Sequence, residues 1–286
     1  MQKVRIITHS GCDLSYSEAE KNQIIMIPDF VMFGTEQYRN NLDILPEAFY
    51  ERLANCETLP TSAHPNLEDY MDAFRAASDC EDIIFIALTS KMTGAYNSAH
   101  LAAELLKEED EDFHSRIHIY DSLQVSFGAG ILVLEAARMA REGASADEII
   151  KKLDELVPRI GVFFVLKTLK YAYKGGRVGA ISKLAVDNLG LKPLLVFDNG
   201  TVSDKHLNRT LKGGVDSIFK HFQNLADTQG EVYIFHACNE KLAQSLKQKI
   251  QDAYPHIEPR VEYVGPVLGI YTGIGGVGMA FIKKER

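Results

Sequence analysis

The sequence predicts an α/β protein built from two α/β domains. The first domain has a mostly parallel sheet flanked by helices, and the second has a mixed sheet with helices. In the first half of the chain, short apolar runs alternate with segments of helical periodicity, which is typical of a parallel sheet. Further on, Asn199-Gly200 separates two apolar runs and indicates an antiparallel hairpin. We expect the domains to span residues 1–158 and 159–286.

In the first half, helix-capping residues mark where several helices begin or end. Asn66 is a plausible N-cap, Ser145 and Glu148 form a capping box, and Gly143 stands where a C-terminal glycine is favoured. The predicted strands are residues 4–8, 24–27, 30–33, 83–88 and 116–120. The predicted helices are residues 45–53, 67–77, 93–106 and 125–141, with one more opened by the capping box.

The second half begins with the dense apolar run 161–166, which predicts a buried strand. The hairpin strands flank Asn199-Gly200, and helices and strands then alternate to the end of the chain. The remaining predicted strands are residues 192–197, 202–206, 232–236, 260–264 and 279–282. The predicted helices are residues 168–173, 207–225 and 242–253.

Composition limits the function classes. Hydrophobic residues make up 46% of the 286 residues, which is enough for packed cores, and the formal net charge of −8 disfavours nucleic acid as a partner. None of the four cysteines is spaced C-x-x-C, and no apolar run reaches the roughly 18 residues of a membrane span. We therefore expect a cytoplasmic protein with no metal and no cofactor.

The strongest local signal is a buried strand followed at once by a segment rich in hydroxyl groups, residues 89–99. Ser90, Thr93 and Gly94 lie at the start of a predicted helix, and free backbone N–H groups at a helix start favour an anion. A second hydroxyl pair, Thr61-Ser62, lies between two predicted helices. These residues also cap helices and turns for stability alone, so the sequence leaves both interpretations open.

Two other patterns are less informative. The glycine-rich segment 269–278 resembles part of a dinucleotide-binding loop, but it leads into an apolar strand and not into a helix. A tight backbone loop beside a ligand or at a domain seam fits it better. Arg177 follows a predicted helix end and is a candidate partner for a carboxylate or phosphate.

Taken in order, these segments resemble the DegV family of bacterial lipid-binding proteins over nearly the whole chain. The residues that carry the resemblance are 10–14, Thr61-Ser62, 89–99, Asp121-Ser122, 169–171 leading into 175–179, 191–194 and 265–269. The resemblance implies a two-domain protein that binds one long-chain fatty acid. It also implies that this protein is not itself an enzyme, because a separate ATP-binding fatty acid kinase subunit would phosphorylate the presented carboxylate.

The resemblance also assigns residues, by their position in the family motifs. The ligand-binding candidates are Thr61, Ser62, Ser90, Thr93, Gly94, Arg177, Tyr271 and Thr272. Phe127 and Ile131, on the predicted helix 125–141, are expected to line the tunnel for the acyl tail, with Gly128 and Gly130 leaving room. Arg209 corresponds to a position that faces the kinase partner, and we expect transient membrane contact during lipid exchange.

Several positions depart from the family pattern. His9 stands where aspartate is common, and Ala63-His64 replaces a usual Gln-Pro. Tyr271 stands where many members place a histidine, and a tyrosine hydroxyl donates one hydrogen bond without becoming cationic. Two alternatives to a kinase-linked carrier stay open at this point: a phosphoryl-transfer enzyme that uses the same loops for phosphate, and a lipid sensor or transport protein without a kinase partner.

Overall fold

The computed structural model describes residues 3–176 and 190–285. Within these ranges the strands form three sheets. The strands are β1 (Val4–His9), β2 (Ile25–Ile27), β3 (Phe30–Phe33), β4 (Glu36–Arg39), β5 (Thr61–Ala63), β6 (Asp82–Ala87), β7 (Arg116–Asp121), β8 (Ile160–Val165), β9 (Lys192–Asp198), β10 (Thr201–Asn208), β11 (Val232–His236), β12 (Arg260–Tyr263) and β13 (Val277–Ile282). The α-helices are α1 (Tyr16–Lys21), α2 (Pro46–Asn55), α3 (Leu67–Arg75), α4 (Ala95–Glu109), α5 (Ser126–Arg141), α6 (Ala146–Leu156), α7 (Lys170–Lys174), α8 (Leu211–Leu225), α9 (Glu240–Ala253) and α10 (Pro266–Thr272).

The first sheet is parallel, as the alternation of strands and helices predicts. Its order is β2-β1-β6-β7, and each neighbouring pair is parallel. Helices α3 and α4 pack their apolar residues against one face of this sheet, and α5 and α6 pack against the other. The predicted capping residues Asn66 and Ser145 both form capping boxes, which fix where α3 and α6 begin.

The second sheet is mixed, which confirms the predicted fold class. Its order is β10-β9-β8-β13-β11-β12, and only the β11–β12 pair is parallel. Asn199 and Gly200 form the predicted hairpin turn, and both have positive φ angles, 46° and 79°. Helices α8 and α9 cover the outer face of this sheet.

Helix α5 lies between the two large sheets. Its apolar residues belong to one core cluster with β1 and β6 on one side and with β8, β9 and β11 on the other. An added Cβ at Gly128 would lie 2.7 Å from Val162, and one at Gly130 would lie 3.1 Å from the backbone oxygen of Cys12. The two glycines therefore let β8 and the segment around Cys12 approach the helix closely, one from each side. The predicted room beside them for a lipid tail is filled by protein.

A small antiparallel sheet, in the order β4-β3-β5, was not predicted in full. Thr61 and Ser62, expected in a loop, belong to its edge strand β5. This short polar strand lacks the apolar alternation that marks strands in a sequence. Val31 and Phe49 of this part of the chain pack against Val267 of α10, so the small sheet contacts the last helix of the chain.

Two helices of the second half depart most from the prediction. Helix α8 begins at Leu211, not at 207, because Leu207 still pairs with β9 and the Thr210 hydroxyl caps the helix by accepting from Gly213 N. Helix α10, with Pro266 in its first turn, was missed because glycines dominate the segment. The four-stranded sheet uses residues 4–121 and the six-stranded sheet residues 160–282. The division into domains at residue 158 stays a prediction.

Candidate functional site

A cavity of about 480 Å³ lies where the two large sheets and the small sheet meet. Its size is in the range of small-molecule sites. One face of the six-stranded sheet supplies most of its apolar wall, at every second residue of the strands, so that the pleat places these side chains on one side. The apolar wall consists of Val162, Phe164, Leu166, Leu195, Phe197, Val202, Phe235, Val264, Val267 and Leu268.

The opposite end of the cavity is polar. The Ser62 and Tyr271 hydroxyl oxygens lie 2.6 Å apart and form a hydrogen bond across its rim. Ser90, Gly94 and Asn97 are exposed, so this end is open to solvent. The residues that form the polar end are Ser62, His64, Ser90, Thr93, Gly94, Asn97 and Tyr271. An amphiphile with one small polar head fits this distribution.

Hydrogen bonds to neighbouring segments hold the loop before α4 in place. The carboxylate of Asp121, at the end of β7, accepts hydrogen bonds from Ser90 N (3.1 Å) and Leu123 N (3.1 Å). The buried hydroxyl of Thr89 donates to Gly200 O of the hairpin turn at 3.0 Å. Gly94 is the N-cap of α4 and offers no side-chain cap, so the first turn keeps N–H groups for a ligand. The predicted hydroxyl-rich helix start is therefore present at the cavity.

His9 and Asp29 line the cavity and form a hydrogen-bonded pair. The sequence analysis did not identify either of them as a site residue. His9 Nδ1 lies 2.8 Å from Asp29 Oδ1, and His9 Nε2 accepts from Leu88 N at 3.0 Å. Because a backbone N–H can only donate, the proton of the ring is on Nδ1 and is donated to Asp29. Asp29 also accepts from Gly11 N at 2.7 Å. The position of His9 at the carboxyl end of a parallel strand was the available signal.

Asp13 is a buried carboxyl group next to the cavity. Burial is the main cause that raises its pKa from 3.8 to about 7, and the charge of Asp29 adds to this. The Ser126 hydroxyl donates to it at 2.6 Å and Gly265 N at 3.2 Å, and both bonds act in the opposite direction. Through these two hydrogen bonds, Asp13 connects the turn after β1 to the start of α5 and to the segment before α10.

Most of the predicted ligand-binding residues line the cavity, but not all. Six of them line it: Ser62, Ser90, Thr93, Gly94, Tyr271 and Thr272. Thr61 does not, because successive side chains of a strand alternate and that of Thr61 is exposed. The hydroxyl of Thr272 is buried and has no hydrogen-bond partner among the described residues. Arg177 lies outside the described residues.

The two residues predicted to line the tunnel belong instead to the core. Phe127 stacks on Tyr233 and Phe235, with ring centroids 5.0 and 5.8 Å apart. Ile131 is 4% exposed and packs in the same core cluster. Only the beginning of this helix reaches the cavity, through Val125 and Ser126. The helix joins two sheets, which its uniformly apolar sequence did not reveal, and contact of Phe127 and Ile131 with the acyl tail stays a prediction.

Arg209 is exposed in the turn between β10 and α8. The part of the chain that the structure describes holds no cluster of three or more histidine, cysteine, aspartate or glutamate side chains arranged for a metal ion. In residues 3–176 and 190–285, no helix combines the length and apolar character needed to cross a membrane.

Comparison with known proteins identifies the family. The model of the DegV family, described as uncharacterised proteins, matches residues 3–284. A DegV domain-containing protein of Halalkalibacterium halodurans is 30% identical, over 99% of this chain and 100% of its own.

Two solved structures resemble the whole chain. DegV of Bacillus subtilis, described as a fatty acid binding protein, is 26% identical with a TM-score of 0.87, over 99% of this chain and 100% of its own. The fatty acid kinase B3 protein of Streptococcus pneumoniae, loaded with linoleic acid, shares the fold at 21% identity, with a TM-score of 0.84 over 99% of this chain and 100% of its own. The match of nearly the whole sequence to the family model, together with these likenesses, shows that the chain belongs to the DegV family.

Proposed function

We propose that this protein binds one long-chain fatty acid, with the carboxylate at the polar end of the cavity and the acyl tail along the apolar wall. One observation carries the proposal: a single cavity joins the Ser62–Tyr271 hydroxyl pair to a continuous apolar face of the six-stranded sheet. The B. subtilis relative of the same family is described as a fatty acid binding protein, which supports this ligand class.

The polar end suits a carboxylate. Hydroxyl groups at Ser62, Ser90, Thr93 and Tyr271 supply donors, and the first turn of α4 adds backbone N–H groups and the positive end of the helix dipole. Hydrogen bonds to an ionised group are shorter and stronger than neutral ones. A few such donors fix the position and orientation of the head group.

The apolar wall supplies the affinity. Each methylene removed from water contributes about 0.8 kcal/mol, so a tail of a dozen carbons contributes roughly 10 kcal/mol before the costs of association. This wall also supports a fatty acid over the phosphoryl-transfer alternative. A small phosphate compound would use the polar end but would leave the wall, including the partly exposed Phe164 and Leu268, in contact with water.

We further propose that the protein presents its fatty acid to a separate ATP-dependent kinase subunit, which forms the acyl phosphate. The polar end of the cavity is the end exposed to solvent, so a bound carboxylate is accessible there to a partner. A relative with the same fold is described as a fatty acid kinase B3 protein. We propose that this protein acts in the cytoplasm and contacts the membrane transiently to exchange lipid. It supplies no catalytic group to the kinase reaction.

The test is mass spectrometry of the lipid extracted from the protein after purification from cells. We expect one fatty acid per chain. An empty protein that binds a nucleotide or a phosphorylated metabolite would overturn the proposal. Mixing the loaded protein with a fatty acid kinase subunit and ATP tests the second part. Absence of acyl phosphate from a protein that holds fatty acid would favour a lipid sensor or transport protein.

A further inference from the structure

We propose that His64 is a second head-group contact and that the bound carboxylate shares one proton with its imidazole ring, so that binding takes up a proton from water. This inference rests on the proposed fatty acid ligand and extends it. His64 lines the polar end of the cavity and is half-buried.

The hydrogen bond of His64 defines its tautomer. Nδ1 lies 2.8 Å from the carbonyl oxygen of Pro65, and this is the hydrogen bond that the ring makes among the described residues. A carbonyl oxygen only accepts, so Nδ1 carries the proton. In the neutral ring Nε2 then has a lone pair and no proton. A ligand carboxylate, which also only accepts, can bond to Nε2 while the bond from Nδ1 to Pro65 O is kept only if one proton is added.

Nε2 lies at the start of α4, where the carboxylate is proposed to bind. A Cβ added to Gly94 would be 3.0 Å from Nε2, so the missing side chain leaves the ring nitrogen and the helix start next to the same space. Ser62 and His64 are two residues apart along β5 and its extension, and both are less exposed than their neighbours Thr61 and Ala63. The extended backbone therefore directs both toward the cavity.

The other ionisable groups around this end have partners of their own. His9 and Asp29 bond to each other, and Tyr271 bonds to Ser62. On the adjoining segments, the Asp69 carboxylate accepts from Asn66 N and the Lys91 ammonium donates to Asn199 O. The first turn of α4, Ala95 to Ser98, carries no charged side chain. Among the described residues, His64 is thus the group at this end whose second nitrogen is left for a ligand.

The proton balance is simple. An ionised fatty acid and a neutral imidazole bind one proton from solvent, and a new N–H bond forms at Nε2. The resulting imidazolium donates through Nδ1 to Pro65 O and through Nε2 to the carboxylate. The head group and its contact then carry no net charge, which reduces the cost of placing an anion beside an apolar cavity in a chain of net charge −8.

The experiment is titration calorimetry of the delipidated protein with lauric acid at pH 8, in three buffers of different ionisation enthalpy. The dependence of the observed heat on buffer gives the number of protons taken up. We expect close to one proton for the wild type and close to none for His64→Gln, whose amide donates to the carboxylate without a proton from solvent. The affinity of this variant is expected to fall by less than tenfold.

A control variant separates His64 from its surroundings. His100→Gln, at an exposed position on α4 that does not line the cavity, should keep the proton uptake. Uptake equal to that of the wild type in His64→Gln, or binding by the wild type without uptake, would overturn this inference and leave the fatty acid ligand in place. A wild type that binds no fatty acid would overturn the proposed function and the inference together.

Discussion

The hydroxyl oxygens of Ser62 and Tyr271 lie 2.6 Å apart, although 209 residues separate them in the chain. The bond joins the edge strand of the small sheet to the last helix, at the open end of the cavity. Because both side chains are hydroxyls, each can donate to the other or to a ligand. The packing of α10 on the small sheet positions the pair.

We expect Tyr271→Phe to weaken fatty acid binding about tenfold, since a hydrogen bond to a charged group contributes about 1.5 kcal/mol or more. Displacement of a fluorescent fatty acid from the purified protein measures the change. Tyr173→Phe is the matched control, because Tyr173 is 62% exposed and does not line the cavity. Equal affinity of Tyr271→Phe and the wild type would show that the Tyr271 hydroxyl does not contact the carboxylate.

Replacing Gly94 by larger residues should weaken binding in proportion to their size. Gly94 has φ −79° and ψ −3°, which any residue adopts, so the effect is steric and does not come from backbone strain. An alanine Cβ would lie 3.0 Å from His64 Nε2, and the branches of valine would reach further into the polar end. We expect a modest loss of affinity for Gly94→Ala and a loss above tenfold for Gly94→Val, with similar thermal unfolding. Unchanged affinity in Gly94→Val would place the carboxylate elsewhere.

A bulkier wall residue should shorten the preferred acyl chain. Val202→Phe adds volume to the apolar wall on strand β10. Each excluded methylene costs about 0.8 kcal/mol, so exclusion of two weakens stearic acid more than tenfold while lauric acid changes less. The ratio of the two dissociation constants measures this preference.

Ile131→Val is the control for that experiment, because Ile131 is in the core and does not line the cavity. We expect it to lower the free energy of unfolding by about 1 kcal/mol and to leave the ratio of the two dissociation constants unchanged. A change of this ratio in Ile131→Val, or none in Val202→Phe, would contradict the assigned path of the tail.

Asp13→Asn should change how stability depends on pH. The pKa of Asp13 is raised from 3.8 to about 7 in the folded protein, chiefly by burial, so the folded state stays protonated while the unfolded state ionises. The free energy of unfolding then decreases by up to about 4 kcal/mol as the pH rises from about 4 to 7, because the pKa differs by roughly three units between the two states. Above pH 7 it is constant. An asparagine still accepts from Gly265 N and has no such dependence.

Urea unfolding of the wild type and Asp13→Asn at several pH values between 5 and 8 measures this difference. We expect the variant to gain stability relative to the wild type up to pH 7 and then to reach a plateau. A difference that does not vary with pH would show that Asp13 has an ordinary pKa.

Arg209→Ala tests the proposed partner surface. Arg209 is exposed and does not line the cavity, so the variant should keep its fatty acid content. We expect slower acyl-phosphate formation with a fatty acid kinase subunit, because a positive charge at the interface is removed. Lys241→Ala, at an exposed position on α9, is the control. Equal turnover of Arg209→Ala and the wild type would exclude Arg209 from that surface.

The sequence alone determined the features that depend on local order. Apolar periodicity located the parallel strands, Asn199 and Gly200 located the hairpin, and Asn66 and Ser145 located helix starts, since these signals act over a few residues. The hydroxyl-rich start of α4 was also visible, because a helix start and its flanking residues are contiguous in the chain.

Only the tertiary structure decided which distant segments share the cavity. The short polar strand with Ser62 has no sequence pattern of its own, and its contact with Tyr271 depends on apolar packing between α10 and the small sheet. The same limit explains why the sequence did not reveal that Phe127 packs between two sheets. An apolar helix is recognisable from sequence, but whether its side chains meet a ligand or a second sheet depends on which surfaces are buried together, and burial does not depend on order in the chain.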